Sequence, residues 1–167
     1  AAVGLVRQVR HHPDYPRARR IALYWANDGE IDLAPLTDQL KADGKSVFLP
    51  VLNPLDPVRP HLWFCHWQPG EPMRANRFGI PEPARPARIP TWTLDWVLMP
   101  LVGFDAAGGR LGMGGGFYDR TFAQEGRWPQ QPQRLGVAHE CQCVEAIPQE
   151  GWDLPLAAVI TDQGIYK

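Results

Sequence analysis

The chain has 167 residues, a formal net charge of −1 and a pI near 6.6. That is long enough for one domain with a substantial core and too neutral for a global electrostatic case for nucleic acid or an anionic membrane surface. No apolar run approaches the roughly 20 residues that span a bilayer, and the N-terminus lacks the apolar centre of a signal peptide. A cytoplasmic protein acting on small ligands is therefore expected, with neither membrane nor nucleic-acid partner.

Residues 1–10 have the pattern of the end of an amphipathic helix, followed by a turn at His12-Pro13-Asp14. Residues 19–26 (RRIALYWA) predict a first strand, and Asn27-Asp28-Gly29 a turn. Residues 30–41 place Leu33, Leu36 and Leu40 on one helical face, which Asp43-Gly44 ends. With residues 46–52 (SVFLPVL) as a second strand, 19–52 forms a βαβ unit. Most of the eighteen prolines fall between Pro50 and Pro100, where few helices can survive. There, 61–67 predicts an edge strand and 68–93 an extended connection containing Arg-Phe-Gly-Ile-Pro-Glu-Pro at 77–83. Residues 94–105 (LDWVLMPLVGFD) form a nearly continuous apolar run, expected of a central strand covered on both faces and interrupted or ended by Pro100. Residues 134–139 and 157–161 predict two further strands, with a turn or short helix across 144–152. The alternation argues a three-layer α/β/α domain.

The most informative segment is 108–120, GGRLGMGGGFYDR, with six glycines in nine residues. A turn needs one or two; six let other groups come close to a run of backbone N–H donors. The segment follows the central strand and runs into a predicted helix over 117–125, so phosphate binding at the carboxyl end of a strand is the expected role. The P-loop pattern GxxxxGK[ST] and the dinucleotide fingerprint GxGxxG are both absent. Arg110 can grip phosphate bidentately, or form an ion pair. Asp119 can hold a hard cation such as Mg²⁺, or stand as a helix-start acid. Cys65, Cys141 and Cys143 match no paired zinc spacing, so free thiols are expected even with His139 beside Cys-Gln-Cys.

Taken together, RLGMGGGFYDR after Pro-Leu-Val-Gly-Phe-Asp, the upstream FGIPEP, the turn into Glu-Ile-Asp and the terminal WDLPLAAVIT resemble the 5-formyltetrahydrofolate cyclo-ligase (methenyltetrahydrofolate synthetase) family. The resemblance runs from about Arg20 to Thr161. It implies a single α/β domain over 1–167, with a mostly parallel Rossmann-like sheet of the NagB/RpiA/CoA-transferase kind. It also implies conversion of 5-formyltetrahydrofolate to 5,10-methenyltetrahydrofolate with ATP and Mg²⁺, through a phosphorylated formyl group, releasing ADP and phosphate. A monomer is expected.

Position by position, the resemblance implies ATP contacts at Arg110, Leu111, Gly112, Met113, Gly114, Gly115, Gly116, Phe117 and Tyr118, with Arg110 and Tyr118 in catalysis. Met113 to Phe117 also face the folate. Asp119 and Asp153 are the implied magnesium ligands. Tyr24, Trp25, Glu30 and Phe78 are implied on the folate side, where a carboxylate can pair with ring N–H groups and flat rings suit aromatic walls. Without the family, Glu30 is equally a helix-start acid, Tyr24 and Phe78 are core residues, and Asp153 is a surface turn residue. Two departures stand out. The basic N-terminal helix usual in the family is not matched, which points to a chain beginning after it or to its loss, and Gly115 occupies a position where some relatives carry Lys. A non-catalytic folate- or nucleotide-binding homologue is the alternative; a sugar-phosphate or coenzyme A enzyme rests on fold analogy alone.

Overall fold

The computed structural model describes residues 1–27, 29–53, 58, 61–112, 116–123, 125–148 and 155–167. Helix α1 (Ala2–His11) leads to β1 (Arg20–Ala22), α2 (Ala34–Ala42), β2 (Ser46–Leu52) and β3 (Leu62–His66). The short strands β4 (Met73–Ala75), β5 (Pro81–Pro83) and β6 (Arg88–Ile89) precede β7 (Trp96–Pro100), β8 (Gly103–Asp105) and β9 (Arg110–Leu111). Helix α3 (Phe117–Thr121), β10 (Gln133–Val137), β11 (Cys143–Val144), β12 (Ala158–Ile160) and β13 (Ile165–Tyr166) complete the order.

Eight strands form one sheet in the order β13-β12-β10-β7-β1-β2-β3-β6. β12, β10, β7, β1 and β2 are parallel; β13 and β3 are added antiparallel on the two sides, and β6 pairs antiparallel with β3. Alternation along the strands builds two cores. Ile21, Leu23, Trp96, Leu98, Leu135 and Val137 face α1 and α2 through Leu5, Val9, Leu36 and Leu40. Ala22, Phe48, Val97 and Met99 face the other way, onto Phe122, Phe117 and Trp128 around α3. Each fully buried Leu, Ile or Phe contributes roughly 1.5–3 kcal/mol of hydrophobic stabilisation. This gives the three-layer α/β sandwich that the alternation of elements predicts.

The central strand ends at Pro100, as expected, in register with Val137, because proline has no N–H to continue a central ladder; other expectations are corrected. The chain then starts a separate three-stranded sheet, β11-β8-β9. α2 begins at Ala34 rather than at residue 30, with Pro35 in its first turn, where a missing N–H costs nothing. α3 is only five residues long, and its last residue, Thr121, accepts the Leu62 N–H at 2.8 Å while donating to the Phe117 carbonyl. A helix that short carries little macrodipole, which removes the helix-terminus part of the anion-binding argument. β3 is not an edge strand, since β6 pairs outside it.

One glycine inside the sheet has a packing cause. A Cβ on Gly136 would lie 2.5 Å from Leu101 Cδ1 and 3.0 Å from Leu156 Cδ1. Leu101 is buried and follows β7 directly, at the point where the chain leaves the sheet for β8.

Candidate active site

Among the parallel strands, the connection from β1 leads to its neighbour β2 on one side, whereas β7, β10 and β12 extend the sheet on the other. The reversal lies between β1 and β7. Above the carboxyl ends of strands at such a reversal two connections diverge and leave a crevice. The segment following β1 carries Tyr24, Trp25 and Glu30; the segment following β7 carries Arg110, Gly112 and α3.

On the β1 side, Glu30 does not start a helix. Its Oε1 accepts the Asn27 N–H at 2.8 Å and its own N–H donates to the Asn27 carbonyl at 3.1 Å, so the carboxylate closes the turn. The turn is fastened from across the sheet by the His139 ring, whose Nε2 lies 2.9 Å from the Gly29 carbonyl at the exit of β10. Tyr24 is buried and donates its hydroxyl to the Ile31 carbonyl at 3.2 Å. Trp25 is partly exposed and meets Trp67 edge-on at 5.9 Å. Burial, and then the Glu30 carboxylate, push the phenols of both Tyr24 and Tyr118 upward. Tyr118 is thus a neutral hydrogen-bond donor, and Glu30 acts electrostatically on residues from both sides of the crevice.

On the β7 side, the glycine-rich string divides in two. Its first part is the turn of the β8–β9 hairpin, closed by buried Asp105: Oδ1 accepts the N–H groups of Ala107 at 3.0 Å and Gly109 at 2.7 Å, and Oδ2 accepts that of Ile147 at 2.8 Å. These donors, Ile147 and Gly109 foremost, hold the Asp105 carboxyl below the usual carboxylate range despite its burial. The hairpin delivers Arg110, whose side chain is 9% exposed and lies 3.8 Å from Asp119 Oδ1, while the Asp119 side chain is 48% exposed. A guanidinium packed in place beside an open carboxylate can meet a phosphate with the one and a hard cation with the other.

Leu111 and Gly112 are exposed, and Gly116 enters α3 at φ +70°. That left-handed conformation favours glycine there, while the Arg120 guanidinium, 2.6 Å from where a Cβ would lie, is a mobile side-chain end that could move aside. Phe117 meets Phe78 edge-on at 5.7 Å and 74°. Phe78 is 54% exposed, which makes it no core residue. Met113, Gly114, Gly115 and Asp153 lie outside the described residues.

The structure therefore brings Glu30, Tyr24 and Tyr118 into one electrostatic group, Phe78 onto Phe117, and Arg110 beside Asp119. Sequence reasoning missed His139 as the fastener of the Gly29 turn and Asp105 as the closure of the hairpin. The first has no local signal, since its partner is 110 positions away. Asp105 had one in Asp-Ala-Ala-Gly-Gly, an acid followed by turn glycines. Cys65 is buried, with its thiol pushed up to about 11 by that burial, Cys141 is exposed, and Cys143 is partly exposed. All three are free thiols. Among the described residues, no three His, Cys, Asp or Glu side chains gather in a way that could hold a metal.

Comparison with known proteins identifies the family. Residues 2–162 match the 5-formyltetrahydrofolate cyclo-ligase family model. The Escherichia coli (strain K12) 5-formyltetrahydrofolate cyclo-ligase is 42% identical over 158 residues, covering 93% of this chain and 85% of that protein. The Haemophilus influenzae protein of the same name is 43% identical over 146 residues, covering 86% of this chain and 76% of its own. An Aquifex aeolicus 5,10-methenyltetrahydrofolate synthetase solved by NMR superposes with a TM-score of 0.81 at 26% identity, covering 99% of this chain and 80% of that one. With its sequence matched almost end to end and the fold reproduced, the chain belongs to the 5-formyltetrahydrofolate cyclo-ligase family.

Proposed function

We propose that the crevice between β1 and β7 is where this ligase converts 5-formyltetrahydrofolate to 5,10-methenyltetrahydrofolate at the expense of ATP. The activity follows from the family; the residue roles are our reading of the geometry. What supports it is that three consecutive residues of α3 are each coupled to another proposed site residue: Phe117 to the Phe78 ring, Tyr118 to the charge of Glu30, and Asp119 to the Arg110 guanidinium.

In this reading the folate lies against Phe78 and Phe117, with its pterin N–H groups on Glu30 and with Tyr24 and Trp25 behind them. The segment from Arg110 to Tyr118 takes the triphosphate. The formyl oxygen attacks the γ-phosphorus and ADP leaves. N10 then attacks the activated formyl carbon and loses its proton, closing the ring as phosphate departs. Such a transfer needs alignment and charge neutralisation more than covalent help. Arg110, fixed by burial, supplies charge without reorganisation, and the Tyr118 hydroxyl supplies a neutral donor. Asp119, together with Asp153, would hold a Mg²⁺ ion that draws charge from the phosphate oxygens. Among the described residues no helix is long and apolar enough to cross a membrane, and we place the enzyme in the cytoplasm with its two small-molecule substrates.

The test is direct. The purified chain, given 5-formyltetrahydrofolate and Mg-ATP, is expected to develop the absorbance of the methenyl product. Binding of both substrates by calorimetry without turnover would replace the catalytic reading with that of a binding homologue.

A further inference from the structure

Phe78 is a proposed folate contact that neither the sheet nor burial holds in place. It sits at the tip of the β4–β5 hairpin, more than half exposed. An exposed ring can act as a ligand wall without an entropic cost at binding only if its loop is already fixed. A chain of hydrogen bonds does this. Asn76 Oδ1 accepts the Phe78 N–H at 2.8 Å and the Ile80 N–H at 3.1 Å. The Asn76 backbone closes the same loop, accepting from Gly79 at 2.9 Å and donating to Ile80 at 2.9 Å, with Gly79 at φ +77°. The Asn76 amide then donates to Glu82 Oε2 at 2.9 Å, and that same oxygen accepts the N–H of Leu52 at 2.9 Å. Leu52 is the last residue of β2, at the carboxyl end of the parallel sheet. One carboxylate oxygen thus joins the hairpin loop to the carboxyl end of β2, the neighbour of β1.

We infer that Glu82, acting through Asn76, is a positioning residue for the folate: it holds Phe78 against Phe117 before substrate arrives. This rests on the proposed placement of folate at Phe78. Glu82 touches no reacting atom, so its loss should affect folate capture rather than phosphoryl transfer.

The experiment is steady-state kinetics in which 5-formyltetrahydrofolate and ATP are varied separately. Glu82→Ala is expected to raise the KM for 5-formyltetrahydrofolate about 5- to 10-fold, with kcat and the KM for ATP changed by less than about 2-fold. Glu82→Gln should restore wild-type behaviour, because an amide oxygen can accept both bonds that Oε2 accepts. Asn76→Ala should reproduce the Glu82→Ala pattern, and it decides the matter if Glu82→Ala fails to fold. Glu82→Ala placed on top of Phe78→Ala should add nothing, the signature of two residues acting through one contact. The inference is overturned if Glu82→Ala leaves the folate KM unchanged, if kcat and both KM values deteriorate together, if Gln is no better than Ala, or if the double variant is additive. A Phe78→Ala variant with an altered folate KM beside a silent Glu82→Ala overturns the inference alone. A silent Phe78→Ala overturns the folate placement along with it.

Discussion

Two turns at the site are each closed by an acid, and they use it differently. Asp105 is buried and accepts three backbone N–H groups, so its bonding is taken up by the hairpin and by the Ile147 segment. Glu30 is partly exposed and accepts the Asn27 N–H while its charge acts on Tyr24 and Tyr118 across the crevice. Both acids follow a strand of the reversal and both hold turns in shape. The difference teaches how to separate a structural acid from one placed to act on a ligand: burial among backbone donors marks the first, partial exposure with charge felt across the crevice the second.

The sharpest way to break this contrast starts just beyond the closed turn. Arg110 is delivered by the Asp105 hairpin, and Arg110→Ala should lower turnover about 10²-fold or more, the scale of losing one preorganised charge donor. Single-turnover kinetics with a normal melting temperature would confirm that the loss is chemical. Near-normal turnover would make Arg110 a structural partner of Asp119. Next, Glu30→Gln keeps an oxygen for Asn27 but loses the charge, and should raise the KM for 5-formyltetrahydrofolate roughly tenfold, the worth of one charged hydrogen bond. An unchanged KM would put Glu30 in the same class as Asp105.

A smaller effect is expected for Asp119→Asn, which should move the Mg²⁺ titration of activity several-fold toward higher concentration. A superimposable titration would end the case for metal at that carboxylate. Smallest at neutral pH should be the change in catalysis for Asp105→Asn, whose signature is in stability. The folded-state pKa of Asp105 is depressed, so its contribution is complete above the ordinary carboxylate value near ~4 and is lost as the pH falls through the depressed value. Melting temperature followed into acid should fall less steeply in the Asn variant than in the wild type, from a lower start. Parallel curves would contradict the bonding described for Asp105.

Much of this arrangement was legible in the sequence because it is local. Leu33, Leu36 and Leu40 mark one face of α2, 46–52 coincides with β2, and Pro100 ends the central strand as its missing donor requires. What escaped is held by distant partners. The hairpin at 73–83 depends on Glu82 reaching Leu52, 30 positions away, and β6 is two residues that exist only because β3 offers an edge. α3 ends at Thr121, short of the expected residue 125, and its Thr121 hydroxyl is engaged by Leu62. In the site, the glycines carried the signal but not its division, since whether a glycine amide faces a ligand or an internal carboxylate depends on where Asp105 folds.

Gly136 marks a position in the sheet where the chain's exit from β7 leaves no room for a side chain. Leu101 rests in the space a methyl group would take there, one residue past the end of β7. Even the smallest side chain at 136 would have to displace the buried Leu101 and its neighbour Leu156, at the point where the chain leaves β7 for the hairpin that carries Arg110. A change in the middle of a strand would thus be felt first in the packing under the β7 exit.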